Sequence, residues 1–114
     1  MKNHILEKLY DILQKRKKAD AQSSYVSSLY EGGSGKISEK ILEEAQEFID
    51  EALLLDNHPN DEAIQRNMHS EAADLLFHVF VMLAHHDIEP RDVFAVLEQR
   101  FGTSGHEEKA NRQK

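Results

Sequence analysis

The chain contains no cysteine, so disulfide staples and thiolate metal sites play no part in it, and nothing in its chemistry demands an oxidising compartment. It also lacks basic excess: 14 Lys and Arg stand against 21 Asp and Glu, a formal net charge of -7. Surfaces that hold nucleic acid or anionic membranes carry the opposite balance, which argues against both partners. An acidic protein can still bind a polyanion when metal ions sit between them. There is no unbroken apolar leader either. Met1 to Arg16 alternates Lys, Glu and Asp with Ile and Leu at helical spacing and has no small-residue cleavage site, so it reads as a helix of the mature protein, with a cytoplasmic location expected. Internal repeats, strand patterns and hairpin signals are absent from the sequence. At 114 residues the chain fits one domain, with little interior to shield charged groups from water, a problem that dimerisation would ease.

What the sequence has is helical periodicity. Ile5, Leu6, Leu9, Ile12 and Leu13 recur at three-and-four spacing, with Glu7, Lys8, Asp11 and Gln14 opposite, which predicts an amphipathic helix ending near Lys18. From Ala19 to Lys36 the pattern dissolves into Ser, Tyr and Gly and reads as a loop. A second helix is expected from about Ile37 to Leu55, its stripe made of Ile41, Ala45, Phe48, Ile49 and Ala52. Asp56 to Asn60 supplies the stop. A third begins after Asn60, taken as its N-cap, and runs to about His86. Leu75 to Ala84 within it carries one polar residue, His78, so this segment is apolar all round, yet too short to span a bilayer. Pro90 opens a fourth helix, and Gly102 is expected just past its end as a C′ residue. The expected organisation is one domain over residues 1–102 and a polar tail over 103–114.

The second and third helices carry the acids. Glu43, Glu44 and Glu47 form E-E-x-x-E, and after 23 residues Glu71 and Asp74 form E-x-x-D. Residues three apart on a helix point within about 60° of one another, so Glu44 with Glu47, and Glu71 with Asp74, each make a pair on one face. Two facing pairs form a cage of hard oxygen donors, the chemistry that Mg²⁺ selects. On the helical wheel Glu71, Asp74 and His78 adjoin Leu75, Val79 and Met82, and a buried unpaired carboxylate costs several kcal/mol. The bland alternatives are an ion pair of Asp74 with Arg66 or Lys40, solvated glutamates, and a satisfied core histidine at His78.

The run Lys36-Ile37 through Lys40, Glu43-Glu44-Ala45 and Glu47, followed by Glu71-Ala72-Ala73-Asp74-Leu75-Leu76-Phe77-His78, resembles the phosphoribosyl-ATP pyrophosphatase family, within the MazG-like all-α nucleotide pyrophosphohydrolases. The flanks agree: Ser24-Tyr25-Val26-Ser27-Ser28-Leu29 is similar to the family's segment ahead of the acidic helix, and Glu107-Glu108-Lys109-Ala110-Asn111-Arg112 to its C-terminal signature. Leu42, where many relatives have Gly, and Phe77, where Tyr is frequent, are departures that leave every acid in place.

The resemblance implies an all-α bundle of four main helices per chain, completed by homodimerisation. It implies Mg²⁺-dependent hydrolysis of the α,β-phosphoanhydride of N1-(5-phosphoribosyl)-ATP to phosphoribosyl-AMP and pyrophosphate, the second step of histidine biosynthesis. Matched by motif position, Glu44, Glu47, Glu71 and Asp74 are the expected metal ligands. Glu43, with Glu44 and Glu47, belongs to the catalytic acids and is the candidate for orienting or deprotonating water. Lys36, Lys40, Lys109 and Arg112 are candidates for substrate phosphates, and His78 for support behind the ligands. No segment for the next enzyme of the pathway is expected after Lys114. Three rivals share parts of the pattern: a house-cleaning pyrophosphatase of the same superfamily acting on noncanonical nucleoside triphosphates, a metal-storage or di-iron bundle, and an interaction module with a solvated acidic face. The di-iron class needs Glu-x-x-His pairs, which neither acidic helix contains.

Overall fold

The computed structural model describes residues 4–18 and 24–102. They form four helices, α1 (Ile5–Arg16), α2 (Tyr25–Asn57), α3 (Glu62–His85) and α4 (Pro90–Phe101), and no strand occurs among the described residues. The fold is therefore all-α. Helix α1 is capped by His4, whose ring Nδ1 accepts from the Leu6 amide. Its core face is centred on Leu13, Leu6, Leu9 and Tyr10, and Ile5 and Ile12 of the expected stripe are turned outward.

The expected loop from Ala19 to Lys36 is corrected from Ser24 onward, and its first residues, Ala19 to Ser23, lie outside the described residues. Residues 24–36 lie in or at the cap of α2, which starts twelve residues earlier than the acidic motif alone suggests. Ser24 caps it by accepting from the Ser27 amide. Val26, Leu29 and Tyr30 then follow at helical spacing, and Val26 and Leu29 are buried. Burial of this face outweighs the poor helix propensity of the serines and glycines around it. Two side chains tie the segment to α1: the Ser27 hydroxyl donates to the Arg16 carbonyl and the Tyr30 hydroxyl to the Leu13 carbonyl. The helix breaks once, at Gly33, where φ 77° and ψ -171° leave the conformations open to side-chain-bearing residues.

Helix α3 runs antiparallel to α2 after a tight turn at His58 to Asp61. The register is fixed by cross-pairs: Asn67 Nδ2 donates to Glu51 Oε1, and at the other end Ser34 Oγ meets His86 Nε2 at 2.9 Å. The N-cap of α3 is Asp61 rather than Asn60, its carboxylate accepting from the Ala63 and Ile64 amides. Leu13, Leu29, Ile37, Phe80, Val81 and Ala84 make the centre of the core, between α1, both arms of α2 and the C-terminal half of α3. The Lys17–Asp87 ion pair and Gln14, which donates to the Ala84 carbonyl and to Asp87, anchor the end of α1 to the turn after α3.

Gly102 follows α4 as expected, but with ordinary φ -81°. It is small for another reason: its amide donates to the Glu98 carbonyl at 2.7 Å, and a Cβ there would lie 2.4 Å from that oxygen.

The apolar surplus sits elsewhere than expected. Most of the apolar residues of α3 are at least half covered, whereas Leu42, Ile49 and Leu53 of α2 form a stripe facing water, and Val93, Val96 and Leu97 of α4 add a second. Leu42 is 71 % exposed. It belongs to this outer stripe and does not press on the acids of its own helix.

Candidate metal and phosphate site

The antiparallel register of α2 and α3 brings the two acidic motifs together. Glu43, Glu44 and Glu47 each offer an oxygen within 4.8 Å of the others, and so do Glu44, Glu71 and Asp74. Glu44 belongs to both groups and joins the α2 acids to the α3 acids. All five predicted acids are thus in one place. That includes Glu43, whose wheel position points away from Glu44; the length of its side chain brings the carboxylate back.

Burial is distributed differently from the expectation. Asp74 is exposed, while the side-chain oxygens shut off from water without a hydrogen-bond partner are Glu44 Oε2 and Glu71 Oε2. Such an orphaned charged oxygen is costly, and proton affinities register it. Burial pushes the Glu71 carboxyl up to about 7, helped by the Glu47 carboxylate at hydrogen-bonding range and by the charges of Glu47, Glu44 and Asp74. Burial likewise raises Glu44, and Glu47 and Asp74 add to the rise while His78 opposes it. Four acids with two orphaned oxygens are a donor set that fits a hard divalent cation.

Neither proposed ion pair of Asp74 forms. Lys40 instead reaches Glu43, Nζ to Oε2 at 3.6 Å, and Arg66 makes no ion pair among the described residues. Lys40 therefore stands at the rim of the acids. Lys36 is exposed one turn earlier, just beyond the break at Gly33. Lys109 and Arg112 lie outside the described residues.

His78 is buried, and both ring nitrogens are occupied. Nδ1 lies 2.8 Å from the Asp74 carbonyl oxygen and Nε2 2.8 Å from the Tyr25 hydroxyl. Both ring nitrogens are thus engaged within the fold, one of them on the backbone of Asp74. Phe77 packs edge-on against the His78 ring, so the ring lacks nothing through the absence of a hydroxyl at that position. Tyr25 is the residue that motif reasoning missed. It stands at the start of α2, within the Ser24 to Leu29 flank, and only the fold brings its hydroxyl within 2.8 Å of His78 Nε2. A groove of about 410 Å³ between α1 and α4, lined by His4, Glu7, Arg91, Phe94, Ala95 and Glu98, contains none of these residues.

An all-helical chain that joins E-E-x-x-E on one helix to E-x-x-D on its antiparallel neighbour has the architecture of the all-α nucleotide pyrophosphohydrolases. Within that class the match is specific: the phosphoribosyl-ATP pyrophosphohydrolase family model covers residues 6–101, and the chain belongs to that family. It is 44 % identical over 114 residues to the phosphoribosyl-ATP pyrophosphatase of Hydrogenovibrio crunogenus, covering 100 % of this chain and 97 % of that protein. It is 43 % identical over 111 residues to that of Geobacter sulfurreducens, covering 97 % and 95 %. The corresponding enzyme of Cereibacter sphaeroides is 44 % identical over 108 residues, covering 95 % and 97 %.

Proposed function

We propose that this chain is a phosphoribosyl-ATP diphosphatase, which hydrolyses the α,β-anhydride of N1-(5-phosphoribosyl)-ATP to phosphoribosyl-AMP and pyrophosphate in histidine biosynthesis. The observation that carries this reading is the convergence of Glu44, Glu47, Glu71 and Asp74, with two orphaned oxygens, in a chain that matches the family across its described length. These four acids would hold Mg²⁺. When bound, the cation would neutralise phosphate charge, favour departure of pyrophosphate and acidify the attacking water.

The chain's own side chains do the rest. Glu43, exposed at the edge of the cluster and already within ion-pair range of Lys40, accepts the proton of the attacking water. Lys40, at the rim of the acids, and Lys36, exposed one turn earlier, bind phosphate oxygens through their ammonium groups in this reading. Asp74 is held in place through its backbone by His78. Fixed groups of this kind lower a phosphoryl-transfer barrier by positioning reactants and matching charge.

The working unit is a homodimer in this reading, located in the cytoplasm. The outward stripe of Leu42, Ile49 and Leu53 supports the dimer, since contiguous exposed apolar surface marks an association site. None of the described helices is long and apolar enough to cross a membrane. The test is product analysis with ¹⁸O-labelled water. The account expects phosphoribosyl-AMP and pyrophosphate as the only products; release of orthophosphate would contradict it.

A further inference from the structure

Two lysines share one face of α2 with its acids, and their distances along the helix separate their roles. Past the break at Gly33 the helix is regular, so its faces follow from the helical repeat. With Glu44 at zero, Lys40 lies about 40°, Glu47 about 60°, Lys36 about 80° and Glu43 about 100° to the same side. The outward stripe of Leu42, Ile49 and Leu53 lies about 140° or more from Glu44. One face thus carries cations and then acids in chain order. Along the axis Lys40 stands about 6 Å and Lys36 about 12 Å before Glu44.

The substrate named above, on which this inference rests, is anionic at both ends. Its triphosphate is one end; the other, beyond ribose, adenine and the second ribose, is a single phosphate. Lys40, with Nζ 3.6 Å from Glu43 Oε2, stands within reach of a triphosphate held at the acids. Lys36 is a further turn away, exposed and without an ion-pair partner among the described residues. A nucleoside triphosphate held by its anhydride at the acids has no anion at its nucleoside end to meet that charge.

Lys36 also has a seat. A Cβ on Gly32 would lie 2.6 Å from Lys36 Cβ and 2.9 Å from its Cγ, well inside carbon contact distance. The Lys36 stem therefore occupies the space that a side chain on Gly32 would take, a close approach across the helix break that only glycine permits.

We propose that Lys36 is a specificity-determining residue that binds the phosphate of the substrate's phosphoribosyl group, and that Gly32 is the residue that positions it.

The test is equilibrium binding, in Mg²⁺, of AMP and phosphoribosyl-AMP, which share the α-phosphate and differ by the phosphoribosyl group. The wild type binds phosphoribosyl-AMP more tightly. Lys36→Met keeps the stem and removes the charge; it weakens phosphoribosyl-AMP about 10- to 100-fold, the scale of one charge-assisted hydrogen bond, and leaves AMP as it was. Lys36→Arg retains most of the preference. Gly32→Ala lowers the ratio of the two affinities, a quantity independent of how much of the variant is folded. An equal loss for both nucleotides in Lys36→Met would place the lysine at the α-phosphate and overturn the proposal. So would an unchanged ratio. An unchanged ratio in Gly32→Ala overturns the positioning role of Gly32. Wild-type turnover separates the two readings: hydrolysis of phosphoribosyl-ATP with no effect of Lys36→Met on the ratio sinks this inference alone, whereas hydrolysis of nucleoside triphosphates only sinks the substrate reading and this inference with it.

Discussion

Glu44 on α2 and Glu71 on α3 bring carboxylate oxygens within 4.8 Å of each other, and each keeps one oxygen buried and without a hydrogen-bond partner. Like charges so placed oppose folding unless a cation or a proton intervenes. The protein's function and the pH and metal dependence of its stability therefore share one origin.

Neutralising the cluster should abolish catalysis without unfolding the chain. Glu47→Gln and Asp74→Asn are each expected to lower turnover by at least about 100-fold, the scale for loss of charge stabilisation in a transition state. Circular dichroism should show the helices intact. Near-normal rates in both variants at saturating Mg²⁺ would remove these residues from the site.

Metal-free stability should fall as pH rises. Glu71 binds its proton more tightly in the folded chain, with the pKa moved from 4.5 to about 7. The stabilisation from that proton is complete below about pH 4.5 and lost by about pH 7. Glu44, also raised, acts in the same direction. Melting in chelator across this range should show the decline, and saturating Mg²⁺ should reverse it at neutral pH. A cation at one hundred times its Kd stabilises by about 2.7 kcal/mol, several degrees in Tm. Asp74→Asn should be at least as stable as wild type without metal and gain less from it. A wild-type melting curve indifferent to Mg²⁺ would refute the cage.

The outward stripe of α2 should be the seam of a dimer. Sedimentation at micromolar concentration is expected to give a homodimer, and Leu53→Glu, which places a charge at a residue 58 % exposed in the single chain, should give a monomer. A wild-type monomer with full activity would refute both the dimer and any site shared between chains.

The break in α2 depends on its glycine. Gly33→Ala should destabilise the chain by about 1–3 kcal/mol, because the strain comes from positive φ, and nothing lies within 4 Å of the added Cβ to offset or worsen it. Urea denaturation would check this. Unchanged stability would mean that the backbone relaxes there at no cost.

The four helices and all five acids were legible in the sequence, because three-residue spacing on a helix fixes a face whatever the tertiary context. The first twelve residues of α2 were not. Ser27, Ser28, Gly32 and Gly33 read as a loop by propensity, and the residues that override them, Val26 and Leu29, gain their stabilisation from α1 and α3, which no local window contains. Tyr25 was hidden for the same reason, since its partner His78 is brought to it by the fold. Burial within the cluster was read only in part from the wheel, which set both Glu71 and Asp74 beside the apolar face: packing encloses an oxygen of Glu71 and one of Glu44 on the facing helix, and leaves Asp74 exposed. The alternative of a Lys40–Asp74 ion pair fails because Lys40, three residues before Glu43 on the same helix, reaches that nearer carboxylate.

The account's central claim is tested most directly by initial rates on phosphoribosyl-ATP beside the common nucleoside triphosphates, with and without Mg²⁺. It predicts fast, Mg²⁺-dependent turnover of phosphoribosyl-ATP that far exceeds turnover of every nucleoside triphosphate. Equal or greater activity on the triphosphates, or full activity in chelator, would contradict it.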